Sequence, residues 1–471
     1  MQIVIAGLGK VGTFLAGELS LEGHDLTVVD TRSERVRAAT SNFDVMGMTG
    51  NIVAPDTINE TGLDEADLFI AVTTNDEVNL LSCLLAKKAG CHRTIARVRS
   101  PEYSADMDYL KEQLGLDMII NPELLAAQEI ERVLALPGAI DVDTFSHGIG
   151  EIYKFKILPN SVLDGLAVKN VRSHVADNVL LCVDERNQLA YIPDGDFVLK
   201  GKDKLYLAGS RINVIKFFRK AGLPTAPTQH VMIIGAGKIA HYLVEDLLKE
   251  GMEVTIIDHD LATCEQFALL HPGCIIIHGD GADADLLLEE GLMEMDALVS
   301  LTGFDEENVF LSMFAHRKAG LKTVTKANRM FDEVIQDLDL DTLINPKKLT
   351  AEFIVRHVRA IANGTGSNVE TMHKLANDQV EALEFTVCEN APVIGKPLYQ
   401  MDLKPGVLIA LITRGDESIL PRGSDQMQAG DSVVVITNNC GFTDISDILS
   451  TTPYPRQNQS TSSAKGRKVK P

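Results

Sequence analysis

The chain repeats itself. Gly7-Leu8-Gly9-Lys10 returns as Gly235-Ala236-Gly237-Lys238, and Asp30 returns at the same interval as Asp258. Asp76, Glu77 and Asn79 return as Asp305, Glu306 and Asn308, one position later than that interval. Ile120-Asn121-Pro122 returns as Ile344-Asn345-Pro346, and Pro193-x-Gly195 as Pro421-x-Gly423. Landmarks held in one order at nearly one interval mean one structural unit of about 220 residues, present twice. The 471 residues must therefore fold as two like halves.

Each half divides again. Over residues 2–120, short apolar strands (2–6, 25–30, 43–48, 67–72, 94–98 and 117–120) alternate with helical patterns (10–22, 32–41, 76–89 and 102–114). That alternation predicts a parallel sheet with helices on both faces. The continuous apolar runs Ile3–Ala6 and Leu68–Val72 suit strands covered on both sides. The pattern predicts such α/β domains at 1–122 and 230–346. A helix at 123–136 is stopped by Pro137-Gly138, and its partner at 347–361 ends near Asn363-Gly364, within crossover segments 123–140 and 347–366. The stripe Leu124, Leu125, Ile130, Val133 and Leu134 must pack on its own domain or on a neighbouring copy. Strands and Gly/Asp/Pro turns then predict small α+β domains at 141–222 and 367–450, with a Pro/Thr linker at 223–229 between the two units. The tail at 451–471 is rich in Ser, Gln and Pro, carries Arg456, Lys465, Arg467, Lys468 and Lys470 without an acid, and is expected to be disordered.

The glycine turn carries the chemistry. Gly7-x-Gly9-x-x-Gly12 follows a strand and opens a helix. The first glycine permits a tight turn, the second lets backbone approach a pyrophosphate, and the third allows close helix–strand packing. Backbone N–H groups at the helix start, Leu8, Lys10 and Val11 among them, face the phosphates. Asp30 ends the second strand, where a carboxylate can accept ribose hydroxyls. A 2′-phosphate beside it would meet like charge, which disfavours NADP, although nearby Arg32 could soften that. The second copy reads Gly235-Ala236-Gly237-Lys238-Ile239-Ala240, with Asp258 as the acid. Alanine at the third position is tolerated because that residue serves packing.

Further candidates line the same sheet edge. Thr73 and Thr74, with Thr302 in the second copy, follow the fourth strands; their hydroxyls can meet phosphate or ribose, and Thr74 or Asn75 can cap the helix at 76–89, two roles that can coexist. Gly50-Asn51 and Gly279-Asp280 follow the third strands, where an adenine edge would sit. Arg97 and Arg99 end the fifth strand, with Lys326 and Asn328 as their counterparts. A guanidinium forks onto phosphate whereas an ammonium is a point charge, so the two sites should differ. His271-x-x-Cys274-x-x-x-His278 has poor geometry for a metal, and no metal site is expected.

Composition excludes several classes. A formal charge of −22 repels nucleic acid and anionic lipid. Seven cysteines without a CxxC pair suit reduced thiols. The start lacks the basic region of a signal peptide, and no apolar run reaches the roughly 18–20 residues a membrane span needs. No HExxH, GxSxG or P-loop motif occurs, and the small domains offer no readable substrate pocket, so catalytic residues are expected to be none.

With these residues in place, the chain resembles the TrkA family of potassium-uptake regulators, built from RCK (KTN) modules. The matching stretches are Ile5 to Gly12, Val28-Val29-Asp30, Ala66 to Asn79 and Ile95 to Ser100, with Ile412-x-Arg414-Gly415, Pro421-Arg422-Gly423 and Gly430-Asp431 in the last domain. The resemblance covers residues 1–450. It implies two tandem Rossmann-like RCK N-terminal domains, each followed by a small RCK C-terminal domain. It further implies a cytoplasmic subunit, peripheral on the inner face of the cell membrane, that assembles as a homo-oligomeric ring, a tetramer, beneath a TrkH- or TrkG-type pore. NAD(H), with ATP or ADP as further ligands, is the implied cofactor, held by Gly7 to Val11, Asp30, Thr73-Thr74 and Arg97, then Gly235 to Ile239, Asp258 and Lys326. The rival readings are an NAD-dependent dehydrogenase with duplicated domains and a nucleotide sensor for another transporter.

Overall fold

The computed structural model describes residues 1–104, 107–175, 178–328, 340–363, 369–439 and 441–450. The basic tail at 451–471 and positions 364–366 of the second crossover segment lie outside the described residues.

The first domain runs β1 (Gln2–Ala6), α1 (Lys10–Leu21), β2 (Asp25–Asp30), α2 (Ser33–Asn42), β3 (Met46–Thr49), α3 (Pro55–Glu60), β4 (Leu68–Ala71), α4 (Asp76–Ala89), β5 (Arg93–Arg97), α5 (Pro101–Ser104), α6 (Met107–Leu114) and β6 (Met118–Ile120). Its strands are parallel in the order β3-β2-β1-β4-β5-β6, the doubly wound order that opens a crevice where the winding reverses between β1 and β4. The expected helix at 102–114 is described as two pieces. The short α3 has no counterpart among the predicted helices: it starts on Pro55 and is too brief to show a period.

The crossover helix α7 (Pro122–Ala135) leads to a small domain of β7 (Asp141–Phe145), β8 (Gly150–Lys156), α8 (Val168–His174), β9 (Leu180–Arg186), β10 (Leu189–Tyr191), β11 (Lys204–Ala208) and α9 (Arg211–Ala221). The second half repeats the plan. Its parallel sheet has β12 (His230–Ile234), β13 (Glu253–Asp258), β14 (Ile275–His278), β15 (Ala297–Ser300), β16 (Lys322–Lys326) and β17 (Thr342–Ile344), with helices α10 (Lys238–Lys249), α11 (Leu261–Leu270), α12 (Ala284–Glu289) and α13 (Asp305–Ala319). After these come the crossover helix α14 (Pro346–Asn363) and the strands β18 (Val369–Leu375), β19 (Val380–Thr386), β20 (Val407–Arg414), β21 (Glu417–Ile419) and β22 (Ser432–Thr437). The small sheets are antiparallel, ordered β10-β9-β11-β8-β7 and β18-β19-β22-β20-β21.

The halves interlock. Ala126, Ala127, Ile130, Val133 and Leu134 of α7 are fully buried in one core with Val231, Ile233, Ala240, Leu243 and Leu247 of the second half. Reciprocally, Ala351, Ile354, Val355 and Val358 of α14 share a core with Ile3, Ile5, Leu15 and Leu19 of the first half. Each crossover helix therefore packs on the glycine-turn helix of the other unit, α7 on α10 and α14 on α1. Of the two partners open to the stripe on α7, Leu124, Ile130, Val133 and Leu134 take the neighbouring copy, which belongs to the same chain, while Leu125 packs on the core of its own unit that α14 completes. The small domains also meet: Phe145, Ile152, Val183 and Tyr206 pack against Leu375, Ala382, Leu411 and Val434. Their central strands are buried on both faces, which is why segments such as Leu180-Leu181-Cys182-Val183 are apolar without alternation.

Between the crossover helices and the small domains lies a cleft of about 2130 Å³. Glu129 of α7 faces it, paired with Arg132 at 2.6 Å. Burial first, and then the charge of Asp141, push the Glu129 carboxyl up to about 8.

This packing is open to test at two points. Ile130→Ala and Ile354→Ala should each cost about 2–5 kcal/mol in urea denaturation, as expected for emptying a closed core site. For Glu129, the folded protein keeps a proton that the unfolded chain loses above about 4.5, so this group's stabilisation is full below that pH and lost as pH rises toward 8. Urea midpoints measured from pH 5 to 8 should fall less steeply in Glu129→Gln than in the parent chain.

Candidate functional site: two glycine-turn crevices

Three glycines do three different jobs. Gly7 sits at φ +99°, and a Cβ there would lie 2.8 Å from the Thr73 nitrogen. Only glycine takes this turn against β4. Gly9 faces open space, so its edge can admit a phosphate. At Gly12 a Cβ would stand 1.9 Å from the Gly7 carbonyl oxygen, so α1 starts pressed against the turn. No side chain caps α1 at Gly9. Its first N–H groups, with Lys10 and Val11 among their residues, are therefore available to an anion. In the second copy Gly235 repeats the turn at φ +103° and Gly237 the open edge. Ala240 is fully buried, so α10 must start farther from its turn than α1 does.

Asp30 is buried and partly engaged. Its carboxylate accepts from Leu8 N at 2.7 Å and from Arg32 N at 2.9 Å. Asp258 repeats this, accepting from Ala236 N at 2.8 Å and Asp260 N at 2.9 Å. The acid thus holds the glycine turn in shape, and the lone pairs left on each carboxylate are what a ribose could use. Arg32 does not supply the neighbouring cation; its guanidinium lies toward Glu34, and Arg35 from the next turn reaches Asp30 at 3.3 Å. The second copy has the exposed His259 at 3.4 Å from Asp258 instead.

At the β4 and β5 ends, a residue outside the predicted set organises the others. Asn79, fully buried, accepts from Thr73 N at 2.9 Å and from the Thr73 hydroxyl at 2.7 Å. It donates to the carbonyls of Thr73 and Arg97. Asn308 likewise accepts from Thr302 N and donates to the carbonyls of Thr302 and Lys326, while the Thr302 hydroxyl donates to the Phe304 carbonyl. The recurrence of Asn79 as Asn308 is its signal in the sequence. The Thr73 hydroxyl is therefore already hydrogen-bonded, and Asn75 caps α4 by accepting from Val78 N at 2.7 Å while Thr74 stays exposed. Gly50 and Gly279 donate to the carbonyls of Asp30 and Asp258, and Asn51 and Asp280 turn their side chains onto Val53 N and Ala282 N, shaping the far wall of each crevice.

The cations are unevenly placed. The Arg97 guanidinium donates to the Thr73 carbonyl, and its buried Nε has no partner. Burial and then neighbouring Arg99 lower its pKa. Such a group gains from an anion. Lys326 donates to the Leu301 carbonyl at 3.0 Å, its pKa lowered by burial. Arg99 is neutralised by Glu123 of α7 at 2.6 Å. Lys10, at the start of α1, reaches across to the carbonyl of Asn328 at 2.8 Å, and Asn121 at the start of α7 donates to the Tyr242 hydroxyl of α10 at 2.9 Å. The two crevices therefore adjoin, and Lys10, Asn328 and Lys347 line a gap of about 220 Å³ between them.

His271, Cys274 and His278 do not converge, since His278 turns to the His259 carbonyl at 3.1 Å. Among the described residues no cysteine is in a disulfide. Among the described residues no helix is long and apolar enough to cross a membrane.

Comparison with known proteins agrees with this architecture. The TrkA-N domain model matches residues 3–122 and again 231–346, and the TrkA-C domain model matches 382–449. A Trk system potassium uptake protein TrkA homolog of Archaeoglobus fulgidus is 33% identical over 440 residues, covering 92% of this chain and 97% of its own. Among solved structures, the GsuK RCK domain is similar with a TM-score of 0.58 at 16% identity, covering 92% of each chain. The GsuK channel bound to NAD has a TM-score of 0.57 at 16% identity, covering 93% of this chain and 76% of the other. Two tandem parallel-sheet domains of this type, each with its small antiparallel partner, and this extent of identity place the chain in the TrkA family.

Proposed function

We propose that this chain is the nucleotide-sensing regulatory subunit of a Trk-type potassium uptake system, with NAD(H) as the ligand of its crevices and ATP or ADP as competitors. The observation that carries this is Arg97, a buried guanidinium with an orphaned Nε beside an open glycine edge and an uncapped helix start, in a protein whose overall charge is −22. Those groups fit a pyrophosphate. Gly9, Lys10 and Val11 would take its oxygens with Arg97, Asp30 would take a ribose hydroxyl, and Gly50-Asn51 would flank the base. The second crevice offers Gly237, Lys238 and Ile239, Asp258, Gly279-Asp280, Thr302 and Lys326. Its point-charge ammonium and looser turn lower its affinity relative to the first.

The chain is not an enzyme; its relatives are potassium uptake proteins. The nucleotide acts as a signal, through the difference in its affinity for two arrangements of the modules. The route is built into the packing: ligand at the start of α1 meets α14 from the other unit, and ligand at the start of α10 meets α7. On this reading the chain works in the cytoplasm, peripheral to the inner face of the membrane, as a ring of like chains under a TrkH- or TrkG-type pore. The domain limits that go with it are 1–122, 141–222, 230–346 and 367–450, with the linker at 223–229.

Titration of NADH, ATP and ADP against the full chain tests the site. Asp30→Ala and Arg97→Gln should each weaken binding at the first crevice by at least about tenfold, the loss of one or more charge-assisted hydrogen bonds, while Asp258→Ala should weaken only the second. Unchanged affinity for every ligand in Asp30→Ala and Arg97→Gln contradicts the assignment. Steady turnover of NADH with a carbonyl substrate would instead favour a dehydrogenase. Co-purification of the tagged chain with a potassium-translocating membrane protein tests the partner.

A further inference from the structure

The two units differ at one joint in a way that changes its chemistry. His241 and Glu245 lie one turn apart on α10, and His271 closes the end of α11. In the structure His271 Nε2 stands 2.8 Å from His241 Nδ1. One ligand atom from each of the three residues lies within 4.8 Å of the other two. His271 is buried, packed on Phe267 with ring centroids 4.6 Å apart, whereas the Glu245 side chain is 48% exposed. Burial and the neighbouring His241 lower the pKa of His271, which favours the neutral ring that coordinates metals.

The same place in the first unit is occupied by Thr13, Gly17 and Phe43, at the interval that relates Asp30 to Asp258. There the Phe43 ring fills the space above Gly17, its Cε1 3.1 Å from where a Cβ would stand. The scaffold is shared, and the first copy closes the joint with a phenyl ring on a glycine. Only the second copy offers two imidazoles and a carboxylate.

We propose that His241, Glu245 and His271 bind a divalent transition-metal ion of the Zn²⁺ class. Two imidazole nitrogens and one carboxylate oxygen suit Zn²⁺ and its neighbours in the series, and not Ca²⁺ or Mg²⁺, which take oxygen. Zn–N bonds of about 2.0–2.1 Å at a tetrahedral angle separate two ligand nitrogens by about 3.3 Å. The rings need to part by only about 0.5 Å from their hydrogen-bonded spacing for an ion to enter. The half-exposed Glu245 carboxylate, 3.8 Å from His241 Nε2, swings toward the Nδ1 side to close the site from solvent, and water takes the fourth position. The bound ion joins α10, which opens on the second glycine turn, to α11, which follows Asp258. A joint that is permanently apolar in the first unit becomes ion-dependent in the second. The ion site stands on this geometry whether or not the crevices hold nucleotide.

The test is Zn²⁺ binding by titration calorimetry to the chelator-stripped full chain, with Co²⁺ absorption as a second readout. The expected result is a Zn²⁺ site of unit stoichiometry whose affinity falls at least about tenfold in Glu245→Gln and is lost in His241→Ala and His271→Ala, with the visible Co²⁺ bands of a low-coordinate nitrogen–oxygen site lost in parallel. If His271→Ala does not fold, the solvent-facing Glu245→Gln decides, since nothing in the core depends on it. Absence of Zn²⁺ binding in the parent chain, or the same affinity in Glu245→Gln and His241→Ala as in the parent, overturns the proposal.

Discussion

The burial of each crossover helix against the other unit's glycine-turn helix is the constraint on which the molecule depends. A helix with an apolar stripe cannot be left in water, and α7 finds its cover on α10 as α14 finds its own on α1. The small alanines at 126, 127 and 351 let the helices approach closely, while Ile130, Ile354 and Val358 fill the space between them. One face of each parallel sheet then depends on the other half for its cover, while the opposite face keeps a core of its own. The duplication is an exchange of parts, and the antiparallel sheets complete it by closing on each other through Phe145, Tyr206, Leu411 and Val434.

That exchange places the two crevices side by side. The starts of α1 and α10 are the N-terminal, positive ends of helices that open on the glycine turns, and both belong to helices gripped by the opposite unit. Lys10 crosses to the second unit's Asn328, and Asn121 crosses to Tyr242. A concentration of cations, Arg97, Arg99, Lys10, Lys326 and Lys347, sits at this seam in an otherwise acidic protein. Charge of that sign is costly to gather unless anions are expected, and only part of it is answered by Glu123, Asp76 and Asp305. The difference between the units is equally informative. Arginine faces lysine, Gly12 faces Ala240, and Arg35 faces Thr263, so the crevices are related without being equivalent.

The doubly wound sheets, the glycine turns and the duplication are legible because each leaves a local mark: continuous apolar strands, fixed glycine spacing, a constant interval. What sequence does not say is which surface covers a stripe. Leu124, Ile130 and Val133 announce burial, yet the identity of the partner is a long-range matter that periodicity does not encode. Arg35 rather than Arg32 meets Asp30 because Arg32 is the extended N-cap of α2 and its guanidinium lies toward Glu34, whereas the first turn of α2 carries Arg35 back over the end of β2. Asn79 is visible as a repeated residue, but a polar residue whose value lies in backbone carbonyls has no chemical signature by itself. Along the chain His271 groups with Cys274 and His278, whereas its real neighbour, His241, comes from another helix 30 residues upstream.

The exchange of helices is tested most directly by hydrogen exchange in a variant weakened in one unit only. Val28→Ala removes atoms from the core that α14 shares with the first sheet and leaves the α7 core untouched. The account predicts faster amide exchange in α1 and in α14, which lie in opposite halves of the sequence, with α10 unchanged and α7, which touches this core only through Leu125, affected less than α14. Faster exchange in α7 with α14 unaffected would contradict it, for then each crossover helix would be packed on the unit that precedes it.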